Sequence, residues 1–260
     1  MLKINYKKLL LKKNKIPITC LTAYSKPLAN ILDGKVDLIL IGDSLGTTLY
    51  GMKNTRGVTL DMMKNHGKAV VKNAKSSMTI VDMPYNTYRN KKEALKNAQE
   101  LISSTKADFL KIETDKKNIE IVKYLSENKI RVVSHIGVTP QKFSDFRKIK
   151  SVGKNTSDAK KLLSLASELE RAGSKLIVLE CINETVAKKI TNILSIPTIG
   201  IGSSKFCDGQ VLVIDDIINF NSNIKKPRFI KKFTDVEISI SKAVNNFVKS
   251  VKNKKFPLRK

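Results

Sequence analysis

The sequence predicts a closed (β/α)8 barrel, a TIM barrel, in a single domain spanning 1–260 with a helical extension at its C-terminal end. Three observations predict it. Short apolar runs recur eight times, amphipathic segments fill most of the intervals, and no composition break or Pro/Gly linker divides the chain. Strands that alternate with helices build parallel βα units, and eight such strands close a barrel. An open doubly wound sheet shares the alternation and is the alternative architecture.

In chain order the strand candidates begin with PITCLTA (17–23), then VDLILIG (36–42), an apolar run that stops at a glycine. The amphipathic TLDMMKNHGKAVVKNA (59–74) separates these from SMTIVDM (77–83), and KKEALKNAQELISST (91–105) leads on to ADFLKIE (107–113). NIEIVKYLSEN (118–128) precedes RVVSHIG (131–137). TSDAKKLLSLASELERAG (156–173) follows, with a Thr/Ser pair to cap its start and Gly173 to end it. SKLIVLE (174–180), ETVAKKITNIL (184–194), IPTIGIG (196–202) and QVLVID (210–215) complete the set. The Lys-rich tail from 221 to 260 carries one further helical pattern, DVEISISKAVNNFVKSV (235–251), expected to pack on the outside of the barrel.

Composition excludes several classes. No apolar run approaches the roughly 18 residues of a membrane span. The basic leader MLKINYKKLLLKKNK is followed by too short an apolar stretch for a secretory signal, and it lacks the arginines of a transit peptide. Cys20, Cys181 and Cys207 are odd in number, far apart and without C-x-x-C spacing, as expected of small core residues in a reducing cytoplasm. The net charge of +26 invites a nucleic-acid reading. Yet only 7 of the 49 basic residues are arginine, and no aromatics alternate with the lysines. Base readout and bidentate phosphate contacts favour arginine, and single strands are gripped by stacking aromatics. The lysines are scattered through every segment beside many Asn and Ile, which reads as AT-rich codon bias laid over solvated faces.

The chemistry gathers at strand ends. Asp43 follows the second strand, Asp82 ends the third, Glu113 the fourth and Glu180 the sixth. His135 ends the fifth, and Lys111 stands two residues before Glu113, so both point to one face of their strand. In a parallel barrel all these ends lie on the face where active sites form. Four carboxylates gathered there repel one another unless a cation intervenes, and hard oxygens without Cys or paired His suit Mg²⁺. Singly, each is equally a turn former or half of an ion pair; Asp43-Ser44 alone reads as a helix cap. His66 reads as an ordinary helix residue, and His135 as a substrate contact. GIGSSK (200–205) lacks the last glycine of a dinucleotide fingerprint and reads as a tight βα turn.

From about residue 16 to 220, the segments LTAYS, IGDSLG, VTLDMM, VDMPYNTY, FLKIE, VVSHIGVTPQ, LIVLEC, IPTIGIG and DGQVLV together resemble the ketopantoate hydroxymethyltransferase family. The resemblance implies a (β/α)8 barrel, a cytoplasmic homo-oligomer (usually a decamer), and no nucleic-acid or membrane partner. It implies transfer of a one-carbon unit from 5,10-methylenetetrahydrofolate to α-ketoisovalerate, in pantothenate and coenzyme A synthesis. It further implies Mg²⁺ at Asp43, Asp82 and Glu113, and Glu180 as the proton acceptor. Asp43, Asp82, Ser44 and Lys111 would contact the substrate. Three segments depart from the family's pattern: TAYS ends at Ser25 where the family has Asp, TRGVT (55–59) replaces TLPVT, and GIGSS (200–204) replaces GIGAG. None removes a carboxylate. The rival enzymatic reading is another Mg²⁺-dependent barrel of the phosphoenolpyruvate/pyruvate type, a C–C lyase or mutase, although no KKCGH segment is present.

Overall fold

The structure is a computed structural model and describes residues 3–143, 150–220, 227 and 229–257. The chain divides into two compact units, Met1–Leu212 and Val213–Lys260. Among the described residues the first contains eight strands: β1 (Ile18–Thr22), β2 (Leu38–Ile41), β3 (Met78–Asp82), β4 (Phe109–Glu113), β5 (Val132–Gly137), β6 (Leu176–Glu180), β7 (Thr198–Ile201) and β8 (Gly209–Leu212). Each pairs in parallel with the next, and β8 pairs with β1 to close the barrel. The predicted fold class is borne out.

Alternation along the strands sends Cys20, Leu40, Ile80, Phe109, Val178 and Val211 into the barrel, where they pack as one core. Helix α1 (Tyr6–Lys12), absent from the sequence reading, sets Leu9 at 0% exposure into that core. At the strand starts three threonines are latched to aspartates on neighbouring strands. Asp37 accepts from the N–H of Thr19, Asp108 from that of Thr79, and Asp208 from that of Thr198, each at 2.8–2.9 Å. Lys12, Lys3 and Lys13 from the leader pair with the same three aspartates. Part of the basic leader is therefore used to close the bottom of the barrel.

Most predicted helices form where their amphipathic pattern placed them. They are α4 (Leu60–Val71), α5 (Lys91–Thr105), α6 (Ile119–Glu127), α7 (Thr156–Arg171) and α8 (Glu184–Ile193). Polar caps begin four of them: the Thr59 hydroxyl and the Asn90, Asn155 and Asn183 side chains accept from first-turn N–H groups. The cap of α7 is thus Asn155, one residue before the expected Thr/Ser pair, because the Asn carbonyl reaches the Asp158 N–H at 2.8 Å. The short helices α2 (Lys26–Leu32) and α3 (Leu45–Thr48) are too brief to show a period in sequence.

The expected βα turn at 200–205 is corrected. No helix follows β7, and residues 202–208 run directly to β8. There the Ser203 hydroxyl donates to the Leu179 carbonyl and accepts from the Ile182 N–H, and the Ser204 hydroxyl accepts from the Phe206 N–H. Side-chain bonds satisfy the backbone that a helix would have satisfied. The run 210–215 is also shorter as a strand than expected, because Ile214–Ile217 turn into helix α9.

The second unit holds α9 and α10 (Val236–Lys252). Asp235 caps α10 and accepts from Asn219 Nδ2 at 2.6 Å. Within the tail assigned as 221–260, residues 221–226, 228 and 258–260 lie outside the described residues. Among the described residues no helix is long and apolar enough to cross a membrane.

Candidate active site

Strand register assembles the site. Asp82 stands opposite Lys111 on β3 and β4, Glu113 opposite His135 on β4 and β5, and Gly137 opposite Glu180 on β5 and β6. Asp43 joins from the turn after β2 through its backbone N–H, which donates to Asp82 Oδ2 at 3.1 Å. Lys111 Nζ donates to the same oxygen at 2.8 Å. His135 Nε2 lies 3.0 Å from Glu180 Oε2, and Nδ1 lies 3.9 Å from Glu113 Oε1. The short His135–Glu180 contact is off line, and neither ring nitrogen has an aligned hydrogen-bond partner. Ser44 completes the set, its hydroxyl 2.8 Å from that of Tyr24. The structure therefore brings all seven of the sequence-predicted side chains to one mouth.

Burial sets the electrostatics. Asp43, Asp82, Lys111, Glu113 and His135 are all buried. Removal from water, and then the neighbouring Asp82 charge, push Asp43 up to about 7. Burial and Asp43 likewise raise Glu113 well above the usual carboxylate range. Burial works against the Lys111 ammonium, but Asp82 and Asp43 outweigh it and hold its pKa above the ordinary value. Burial lowers the pKa of His135 despite the pull of Glu180, which favours the uncharged imidazole. One ammonium thus faces four carboxyl groups.

That imbalance suits a cation. Asp82 Oδ1 is buried with no hydrogen-bond partner, an acceptor whose desolvation nothing in the protein offsets. Among the described residues no three Asp, Glu, His or Cys side chains are grouped to hold an ion by themselves. Mg²⁺ does not require three, because it is commonly held by one or two carboxylates and completes its shell with substrate oxygens and water. Asp43 and Asp82 fit that role. Both oxygens of Glu113 accept the backbone N–H of Gln141 at 3.1 Å, so this carboxylate is turned toward the loop after β5.

Glu180 differs from the others. Its side chain keeps 15% exposure, against 2% for Asp82 and 4% for Glu113, so it is the more open of the three. The corner that carries it is strained. Cys181 has φ +50°, uncommon for a side-chain-bearing residue, and is held by its N–H to Ile201 O and by the Val152 N–H on its carbonyl. Gly137 has φ +99°, and a Cβ there would stand 2.2 Å from the Glu180 carbonyl oxygen. Replacing it with alanine is expected to cost roughly 1–3 kcal/mol of stability, and to lower turnover by displacing the Glu180 corner. Urea unfolding with turnover of the folded fraction checks this. Wild-type values in both would show that the close approach is not needed.

Sequence reasoning missed the residues that tie these groups together. Gln141 Nε2 donates to Asp43 Oδ2 at 2.7 Å and to the Met83 carbonyl at 3.0 Å, and the Tyr88 hydroxyl donates to its Oε1. Arg56, in the departing TRGVT segment, donates to the carbonyls of Gln141 and Lys142 at 2.9 and 2.7 Å and lies over the Tyr85 ring. A neutral amide after a strand carries no charge pattern to mark it. His66, read as an ordinary helix residue, contacts the Tyr24 carbonyl through Nδ1 at 2.6 Å and the Tyr50 hydroxyl through Nε2 at 3.0 Å.

The profile of a family described as ketopantoate hydroxymethyltransferase matches residues 3–259. A protein of Pelagibacter ubique named 3-methyl-2-oxobutanoate hydroxymethyltransferase is 50% identical over 249 residues, 96% of this chain and 95% of that protein. One of the same name from Anaplasma marginale is 44% identical, covering 95% of this chain and 88% of that protein. Among solved structures, phosphonopyruvate hydrolase in complex with oxalate and Mg²⁺ superposes with a TM-score of 0.61 at 10% identity, covering 98% of this chain and 88% of that one. At that identity the likeness concerns the fold alone.

Proposed function

Because the chain belongs to the ketopantoate hydroxymethyltransferase family, we propose that its barrel mouth transfers a hydroxymethyl group from 5,10-methylenetetrahydrofolate to 3-methyl-2-oxobutanoate, giving 2-dehydropantoate for pantothenate and coenzyme A synthesis. The observation that carries the reading is the division of the carboxylates. Asp43 and Asp82 are buried around an unpartnered oxygen, while Glu180 stands apart and more open.

Asp43 and Asp82 hold Mg²⁺ in this reading. A cation held there would supply Lewis-acid stabilisation of the negative charge that develops on the keto acid. Lys111 offsets the charge of an anionic substrate entering an acidic mouth, and Ser44, oriented by the Tyr24 hydroxyl, donates to its carboxylate. Glu180 takes the proton from C3 as general base. His135, beside Glu180, contacts the substrate on the same side. C3 then bonds to the methylene carbon of the folate as one of its two C–N bonds breaks, that nitrogen taking up the proton removed from C3. Water then displaces the second nitrogen, which leaves with a proton of the water as tetrahydrofolate, and the hydroxymethyl group remains. Proton NMR of 3-methyl-2-oxobutanoate in D₂O with protein and Mg²⁺ tests the first half. The C3 proton signal should disappear without folate, and its persistence would remove both the substrate and the first step.

The rival, a C–C lyase or mutase on a like barrel, draws only on the shared fold. A screen of keto acids in which 3-methyl-2-oxobutanoate is inert and another acid is cleaved would favour it. The further expectations of a cytoplasmic homo-oligomer without nucleic-acid partners are part of the same proposal. With lysines spread over solvated faces, oligonucleotide binding should be weak and lost at moderate salt. Sub-micromolar binding at about 0.2 M salt would contradict the charge reading.

A further inference from the structure

We infer that Gln141 is a positioning residue, whose side-chain amide sets the orientation in which Asp43 meets its cation. The inference rests on the proposed reading of Asp43 and Asp82 as the ligands of that cation. Gln141 is 2% exposed, and every hydrogen-bonding group of its amide is used inside the site. Nε2 lies between two acceptors, Asp43 Oδ2 at 2.7 Å and the Met83 carbonyl at 3.0 Å, and Oε1 accepts from the Tyr88 hydroxyl. Reversing the amide would set its oxygen against a carboxylate and a carbonyl at once, so only one orientation is compatible with these partners.

The backbone of the same residue is pinned from two directions. Its N–H donates to both oxygens of Glu113, and its carbonyl accepts from Arg56 Nε at 2.9 Å. An amide held this firmly has one consequence for Asp43. With Oδ2 engaged, the carboxylate plane is fixed relative to Asp82, whose Oδ2 is in turn engaged by Lys111 and the Asp43 N–H. Each of the two carboxylates thus has one oxygen tied to the protein. A flexible Asp43 would pay for ordering on each binding event, whereas this one is ordered beforehand. Tyr88 belongs to the same device one step removed, since it touches the amide oxygen and not the carboxylate.

Calorimetric titration of Mg²⁺ into four folded proteins tests the inference: wild type, Gln141→Met, Tyr88→Phe and Asp82→Ala, each with its melting temperature. Gln141→Met keeps length and backbone bonds but loses the amide; its Mg²⁺ affinity should fall roughly 10–100-fold, the range for a lost partner behind a metal ligand. Tyr88→Phe should weaken binding in the same direction by less. Should Asp82→Ala lose Mg²⁺ while both other variants bind it as wild type does, the positioning role is overturned and the cation site stands. If Asp82→Ala itself binds like wild type, the underlying cation reading fails instead. A purely structural Gln141 predicts a lower melting temperature with unchanged affinity in the folded protein. Should Gln141→Met not fold, Tyr88→Phe decides alone, and wild-type affinity in it overturns the inference.

Discussion

Asp82→Ala is expected to abolish useful binding of Mg²⁺ and of 3-methyl-2-oxobutanoate together. Asp82 contributes the buried oxygen without a partner, and its other oxygen holds Lys111 Nζ and the Asp43 N–H. If the keto acid is held through the cation, losing a direct ligand should cost both affinities more than the roughly 100-fold seen for groups behind a ligand. The substitution also leaves Lys111 buried without its closest partner, a kind of change that costs about 3–5 kcal/mol. The melting temperature should therefore fall, and binding must be read below it. Asp82→Asn preserves volume and a hydrogen-bond acceptor for Lys111, so it should recover stability without recovering Mg²⁺ affinity. Calorimetry with each ligand discriminates the possibilities. Retention of keto-acid affinity after loss of Mg²⁺ would show that the acid is held by other groups.

Glu180→Gln should leave both affinities near wild type and lower turnover by roughly 10²–10⁴, the range for a missing general base. Gln retains the size of Glu and a hydrogen-bond acceptor, yet cannot take a proton from carbon. Because Glu180 keeps more exposure than the cation-side carboxylates, the change should disturb stability less than Asp82→Ala does. A merely structural carboxylate predicts the reverse, lower stability with ordinary turnover in the folded fraction. Deuterium exchange at C3 is the direct readout. If the Gln variant exchanges that proton at the wild-type rate, the base lies elsewhere, and His135, 3.0 Å from Glu180, is the first group to examine.

The barrel was legible because its signal is local and repeated. An all-buried run such as Leu38–Ile41 is bounded by Asp37 and Gly42, and a helix such as Lys91–Thr105 carries its period on its face. The strand-end carboxylates were legible for the same reason, since parallel topology sends every strand end to one face. Elements without a period were missed: the four-residue helix Leu45–Thr48 and the helix-free return from β7 to β8, where serine side chains do the work of a helix.

Residue type and spacing along the chain were enough to point to a parallel barrel and to the charged groups at its mouth. How those groups differ follows from their arrangement in space. Register places Asp82 against Lys111 and Glu113 against His135. Burial pushes Asp43 up to about 7 and lowers the pKa of His135, while Glu180 is left the more open carboxylate. Gln141 meets Asp43 98 residues away along the chain. The physical reason is that desolvation and hydrogen-bond geometry depend on distances through space, which residue spacing does not encode.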